Sequence, residues 1–166
     1  MTPNFDRAFD ERPDVQAAWL ALNTSIKESM DLRRYELATL AAAQRLRSSY
    51  CSLAHGKVLI DSFGEPVREI ALDRRGAGLD EVDVAVMDLA EQVVDDATSI
   101  GDRHLARLRE LGLPEQEIRG VVLAAAARCF FSKTLDALDI RADASYRELD
   151  PALLEVLVVG RPISAA

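Results

Sequence analysis

Glu36-Leu37-Ala38-Thr39-Leu40-Ala41-Ala42-Ala43-Gln44-Arg45-Leu46-Arg47-Ser48-Ser49-Tyr50-Cys51-Ser52-Leu53-Ala54-His55 sets a carboxylate, a thiol and an imidazole within twenty consecutive residues. Cys51 and His55 are four apart, so on one helix they share a face with roughly 5–6 Å between their Cβ atoms. Glu36 precedes Cys51 by fifteen residues, which on an unbroken helix would separate the two by about 22 Å. A carboxylate that is to work with the imidazole therefore requires a break in the helix. Ser48-Ser49 supplies one, because a serine hydroxyl accepts from the free N–H groups of a following turn and competes with an incoming helix. With Ser48 as N-cap, Cys51 falls at the third helical position, where the partial positive charge of the helix end favours a thiolate. The chain then reads as a helical hairpin that returns Glu36 to His55.

The pattern Glu36-x11-Ser48-x2-Cys51-x3-His55 resembles the active-site motif of the carboxymuconolactone decarboxylase and alkylhydroperoxidase D superfamily. Peroxidase members of that superfamily usually carry cysteine at both positions held here by Ser48 and Cys51, and often glycine where Arg47 stands. Ala77-Gly78-Leu79, Val86-Met87-Asp88-Leu89-Ala90 and the segment from Phe130 to Leu138 resemble later helices of the peroxidase-related members, so the likeness runs from about residue 31 to 166. It implies an all-α, alkylhydroperoxidase D-like helical domain built around the hairpin, with Glu36, Cys51 and His55 as the catalytic set. It also implies a homo-oligomer and a small-molecule substrate, with an external thiol or dithiol as reductant.

Composition narrows the alternatives. The chain has 166 residues, 49% of them hydrophobic, which is enough for one domain with a sizeable core. We read residues 1–30 as an N-terminal arm and first helix, and 31–166 as the helical domain, within a single domain overall. A formal charge of −8 supplies no electrostatic footprint for nucleic acid or an anionic membrane. No apolar run reaches the ~18 residues of a membrane span, and the first residues lack the basic-then-apolar order of a signal peptide. A cytoplasmic protein is the expectation. Two cysteines, Cys51 and Cys129, are too few for a disulfide scaffold, no four-ligand metal spacing is present, and the residues call for no metal or organic cofactor.

Along the chain, residues 1–12 read as a polar, irregular arm. A helix starts at Pro13; whether it continues through Asn23–Met30 is left open by the weak helix formers Thr24 and Ser25. Asp31 caps the helix that carries Glu36. Further helices follow from Pro66, from Asp80 to a stop at Gly101, from Asp102 to Gly112, and from Pro114 through the apolar stretch to Leu138. Val156-Leu157-Val158-Val159 has strand composition.

Each functional residue has a competing structural role. Cys51 reads as an activated nucleophile or as a small core residue. His55 is its base or ion-pair partner, and Glu36 orients the imidazole, unless Glu36 merely pairs with Arg33 or Arg34 on the helix surface. Ser48 cannot close a disulfide with Cys51, so an oxidised Cys51 must be resolved by Cys129, another subunit or an external thiol. Cys129, beside Phe130 and Phe131, reads chiefly as a core thiol. Tyr50 lines the pocket or packs, and His104 is a solvated helix residue. The cluster Arg33, Arg34, Arg45 and Arg47 either draws an anionic substrate or pairs with neighbouring carboxylates. The function that follows is a thiol-dependent, peroxidase-like antioxidant protein with a single active-site cysteine. Its competitors are a cysteine-independent decarboxylase or isomerase acting on a small carboxylated substrate, and a non-enzymatic member of the fold.

Overall fold

After Asp31 the chain runs through leucine and alanine with few bulky polar groups, a composition for a helix buried on every side. In the computed structural model, which describes residues 2–165, this is α2 (Leu32–Arg45). Asp31 Oδ1 caps it by accepting from Arg34 N at 3.0 Å. Every residue from Tyr35 to Ala43 is buried. The small side chains of Ala38, Ala41, Ala42 and Ala43 let α3 (Ser49–Phe63), α5 (Glu81–Asp96) and α7 (Glu115–Ala137) close on α2. Leu37, Leu40, Leu53 and Leu59 fill the spaces between them with no exposure, each contributing roughly 1.5–3 kcal/mol by burial.

The remaining helices complete this arrangement. α1 (Pro13–Glu28) lies on α7, and α4 (Val67–Asp73) and α8 (Pro151–Leu157) pack together against α3. α6 (Asp102–Glu110) rests on α5 and α7. No strand occurs among the described residues, and no helix among them is long and apolar enough to cross a membrane. Arg33 and Arg34 are tied to carboxylates of other segments: Arg33 to Glu65 at 2.5 Å and to buried Asp83, Arg34 to Asp83 and to Glu117 at 3.2 Å. Arg45 pairs with Asp95. These arginines brace the helix packing.

Between α2 and α3 the chain reverses through a Schellman turn. Ser48 N donates to Ala43 O at 2.9 Å and Arg47 N to Gln44 O at 3.0 Å. That geometry demands a left-handed residue, and Arg47 fills it with φ 57°. A residue with a Cβ pays ~1–2 kcal/mol for this conformation. The arginine is held there by the segment after α8: Arg47 Nε donates to Val159 O at 3.2 Å, and Gly160 N donates to Ser49 Oγ at 2.9 Å.

Three local expectations need correction, and one open boundary is settled. The start of the chain is not irregular, because Asn4–Phe9 form a 3-10 helix. There Phe9 is buried, and Phe5 and Phe9 pack on Phe131. The first helix, whose course through Asn23–Met30 the sequence leaves open, continues to Glu28, since burial of Ile26 outweighs the weak propensity of Thr24 and Ser25. The helix from Asp80 ends at Asp96, where the Asp96 side chain accepts from Thr98 N and opens a 3-10 turn, five residues before Gly101. Finally, Val156 and Leu157 are helical. Asp150 Oδ1 accepts from Ala152 N at 2.8 Å and Pro151 sits in the first turn, so a strong helix start overrides the β-branched composition behind it.

Candidate active site

Because α2 and α3 are antiparallel arms of one hairpin, Glu36 lies opposite His55. His55 Nδ1 and Glu36 Oε2 are 2.6 Å apart, and both side chains are nearly sealed, with 12% and 1% exposure. Glu36 is therefore not a surface residue paired with Arg33 or Arg34. Its second oxygen takes Lys27 Nζ from α1 at 3.2 Å, and the same ammonium lies over the Tyr35 ring at 5.5 Å from its centroid. Burial raises the Glu36 carboxyl, yet the contacts from His55 and Lys27 together hold it below its ordinary value. Burial lowers the His55 imidazole, and the opposing pull of Glu36 does not restore it. The pair is thus an ionised carboxylate accepting Nδ1–H from a neutral imidazole, which leaves Nε2 with a lone pair.

This arrangement fixes a pH dependence. The folded imidazole takes a proton less readily than the ordinary value of 6.5, so His55 contributes stability that is complete above about pH 6.5 and declines as pH falls below it. Glu36, held below its ordinary 4.5, adds a further decline that begins near that value. The melting temperature should drop as pH falls from about 6.5 to 5, and His55→Gln should flatten that slope. An unchanged slope in the variant would assign the effect elsewhere.

Cys51 stands at the third position of α3, fully buried, as the N-cap at Ser48 dictates. The Ser48 hydroxyl itself makes no cap bond. It is buried without a partner in hydrogen-bonding geometry, close to Asp136, whose burial-raised carboxyl it partly offsets. The Cys51 sulfur faces two donors from α7: Ser132 Oγ at 3.2 Å and Arg128 Nη1 at 3.7 Å. No hydrogen bond joins it to His55 among the described residues. Arg128 is 4% exposed, with its guanidinium carbon 5.3 Å from the centroids of both Trp19 and Phe131. Its Nη2 donates to Asn23 Oδ1 at 3.2 Å, an oxygen that also accepts from Tyr35 OH at 2.7 Å.

Cys51, His55 and Arg128 share the wall of one cavity of about 310 Å³. Trp19 and Phe131 give it an apolar side, and Phe5 from the 3-10 helix Asn4–Phe9 joins the lining. Tyr50 lines it too, donating to Asp143 and accepting from Phe5 N at 3.3 Å. Burial and the Asp143 carboxylate push the Tyr50 phenol upward, and burial and Asp143 push Tyr146 to about 12. Both phenols stay protonated at neutral pH. Cys129 is half-buried and free, and burial raises its thiol. His104 is exposed and accepts from Gly101 N at 3.2 Å. Among the described residues no group of three His, Cys, Asp or Glu could hold a metal ion.

Lys27, Asn23, Arg128 and Ser132 were missed by sequence reasoning. The last two had a signal: Arg128 is the lone charge between Val121 and Phe131, four residues before Ser132, which is spacing for one helix face.

The architecture has solved counterparts. A crystal structure described as the alkylhydroperoxidase AhpD core, an uncharacterized peroxidase-related protein from Ralstonia eutropha JMP134, superposes with a TM-score of 0.81 at 18% identity, over 97% of this chain and 84% of that one. The chain has the alkylhydroperoxidase D-like fold. An uncharacterized peroxidase-related protein from Silicibacter sp. TM1040 also shares this alkylhydroperoxidase D-like fold, with a TM-score of 0.81 and 18% identity over 89% of this chain and 80% of its own. The model of the Carboxymuconolactone decarboxylase family matches residues 13–77, which include Lys27, Glu36, Ser48, Cys51 and His55. The family match and the shared alkylhydroperoxidase D-like fold support the superfamily resemblance drawn from the motif. No curated protein matches the chain.

Proposed function

We propose that the protein is a thiol-dependent, peroxidase-like enzyme in which Cys51 is the nucleophile. The observation that carries this reading is the meeting of the Cys51 sulfur and a neutral, Glu36-oriented His55 on the wall of one cavity. His55 Nε2 takes the thiol proton; the sulfur attacks a hydroperoxide oxygen, the S–O bond forms and the O–O bond breaks. The protonated imidazole returns the proton to the departing alkoxide. Cys51–SH and ROOH thus become Cys51–SOH and ROH. An external thiol then displaces water to form a mixed disulfide, and a second thiol releases Cys51 and the oxidised reductant. His55 serves as base rather than as ion-pair partner, since burial disfavours its charged form. Cys129 is unsuited to resolve the sulfenic acid, because burial raises its thiol and it is not among the cavity-lining residues.

Ser48 provides the test. After mild peroxide treatment, mass spectrometry of the native chain should find a sulfenic acid at Cys51, or a mixed disulfide when a thiol is present. Ser48→Cys should instead lose two hydrogens, since i,i+3 positions at a helix start adjoin and the first turn can adjust to disulfide geometry. It should also turn over peroxide faster with dithiols. A native protein that leaves Cys51 unmodified, and consumes peroxide no faster than Cys51→Ser, would remove the reading.

One observation favours a second reading. The His55–Glu36 pair is complete without the sulfur, as acid–base work on a small carboxylated substrate would require. Turnover of such a substrate that survives Cys51→Ser distinguishes this reading from the first.

A further inference from the structure

Around the cavity the fixed charges do not balance. Lys27 has the Glu36 carboxylate. Asp143 is engaged by the Tyr50 hydroxyl and by Asn4 N at 2.8 Å. Arg128 has no carboxylate within salt-bridge reach among the described residues, although it is 4% exposed. Its Nη2 meets only a neutral amide oxygen, and its Nε is buried without any partner. The rings of Trp19 and Phe131 lie over its guanidinium and exclude water from it. A sealed guanidinium with no counter-charge is among the costlier arrangements in a protein interior.

The atom at Nη1 is the Cys51 sulfur, which Ser132 Oγ also approaches from one helical turn further along α7. A neutral thiol sulfur is a weak acceptor. Two converging donors, one of them permanently charged, suit an anionic sulfur instead. Among the described residues no other group beside Arg128 supplies a negative charge: the Tyr35 and Tyr146 phenols are both raised and stay protonated, and the His55 imidazole is never an anion.

We infer that Arg128 is the counter-charge that holds the Cys51 sulfur in its anionic, nucleophilic form, with Ser132 as the second donor. The inference deepens the thiol reading above and rests on it for its catalytic meaning. It divides the labour of the site: His55 and Glu36 handle the proton, while α7 holds the charge left on sulfur.

The test reads charge at the sulfur without requiring turnover. Cys51 is alkylated at neutral pH with neutral iodoacetamide and with anionic iodoacetate, and its peptide is quantified by mass spectrometry. Arg128→Gln should react at least about tenfold more slowly with both reagents, as loss of a charge-assisted hydrogen bond implies. Native protein should favour the anionic reagent, drawn by the Arg128 charge beside the sulfur, and Arg128→Gln should lose that preference. Arg128→Lys should preserve that preference, and Ser132→Ala should slow both reactions a few-fold. Circular dichroism establishes folding for each. A folded Arg128→Gln with native rates and native reagent preference would overturn the inference. Should that variant fail to fold, a native rate in Ser132→Ala together with a lost preference in Arg128→Lys would overturn it equally. Peroxide consumption is measured in parallel. Native protein that consumes no peroxide, while Arg128→Gln slows alkylation, sinks the peroxidase reading and leaves this inference standing. Peroxide turnover with unaltered alkylation in Arg128→Gln does the reverse.

Discussion

Glu36→Leu should lose roughly 3 kcal/mol of stability, because it leaves the Nδ1–H of His55 buried without an acceptor and the Lys27 ammonium without its carboxylate. Glu36→Gln keeps the volume and offers a carbonyl oxygen to Nδ1–H, so it should fold with a smaller loss. Its activity should nevertheless fall by about 10²- to 10⁴-fold under the thiol reading, the range seen when a carboxylate that orients and supports a catalytic imidazole is made neutral. Urea titration and peroxide consumption measured on both variants separate the two roles. If Glu36→Leu unfolds at the native urea concentration and Glu36→Gln keeps the native rate, Glu36 neither orients His55 nor supports the fold.

The second large effect lies far from the chemistry. A Cβ built on Gly160 would stand 1.9 Å from the carbonyl oxygen of Arg47 and 3.1 Å from its carbon. Both are backbone atoms of the turn between α2 and α3, and that turn is pinned by its own hydrogen bonds. Gly160→Ala must therefore push the segment after α8 away. The hydrogen bonds from Gly160 N to Ser49 Oγ and from Arg47 Nε to Val159 O go with it. Overpacking and the lost bonds together should cost about 3 kcal/mol. Gly101→Ala, where nothing lies within 4 Å, is the control and should cost less than about 1 kcal/mol. Equal urea midpoints for the two variants would mean that the C-terminal segment does not rest on the turn.

The hairpin was legible in sequence because its information is local. The spacing from Glu36 to His55, the serine pair and the cap at Asp31 all act within a turn or two of where they stand. The left-handed demand at Arg47 was legible too, once glycine was expected there. What could not be read was the rotation of α1 and α7 about their own axes, which decides whether Lys27, Arg128 and Ser132 face the hairpin or turn away. That rotation is set by the aromatic contacts of Trp19 with Phe131 and of Phe9 with Phe131. These contacts join residues more than a hundred positions apart, beyond any spacing rule. Short segments failed for a related reason. Asn4–Phe9 has little propensity of its own and takes its form from what it packs against, while in Pro151–Leu157 the Asp150 cap and the helix formers Ala152 to Glu155 prevail over the valines that follow.

The place of Phe5 in the cavity wall also has a schedule. Asn4 N finds its acceptor on Asp143, 139 residues downstream. At a synthesis rate of ~5–20 residues per second, Asn4 waits roughly 7–28 s on the ribosome before that acceptor exists. The hairpin holding Cys51 is complete in the nascent chain long before then, Arg128 and Ser132 follow late, and Asn4–Phe9 docks last. During that interval the sulfur has neither its donors nor a complete cavity wall. The segment Asn4–Phe9, made before the hairpin, thus takes its place after it, and the cavity wall is complete only once residue 143 has been added.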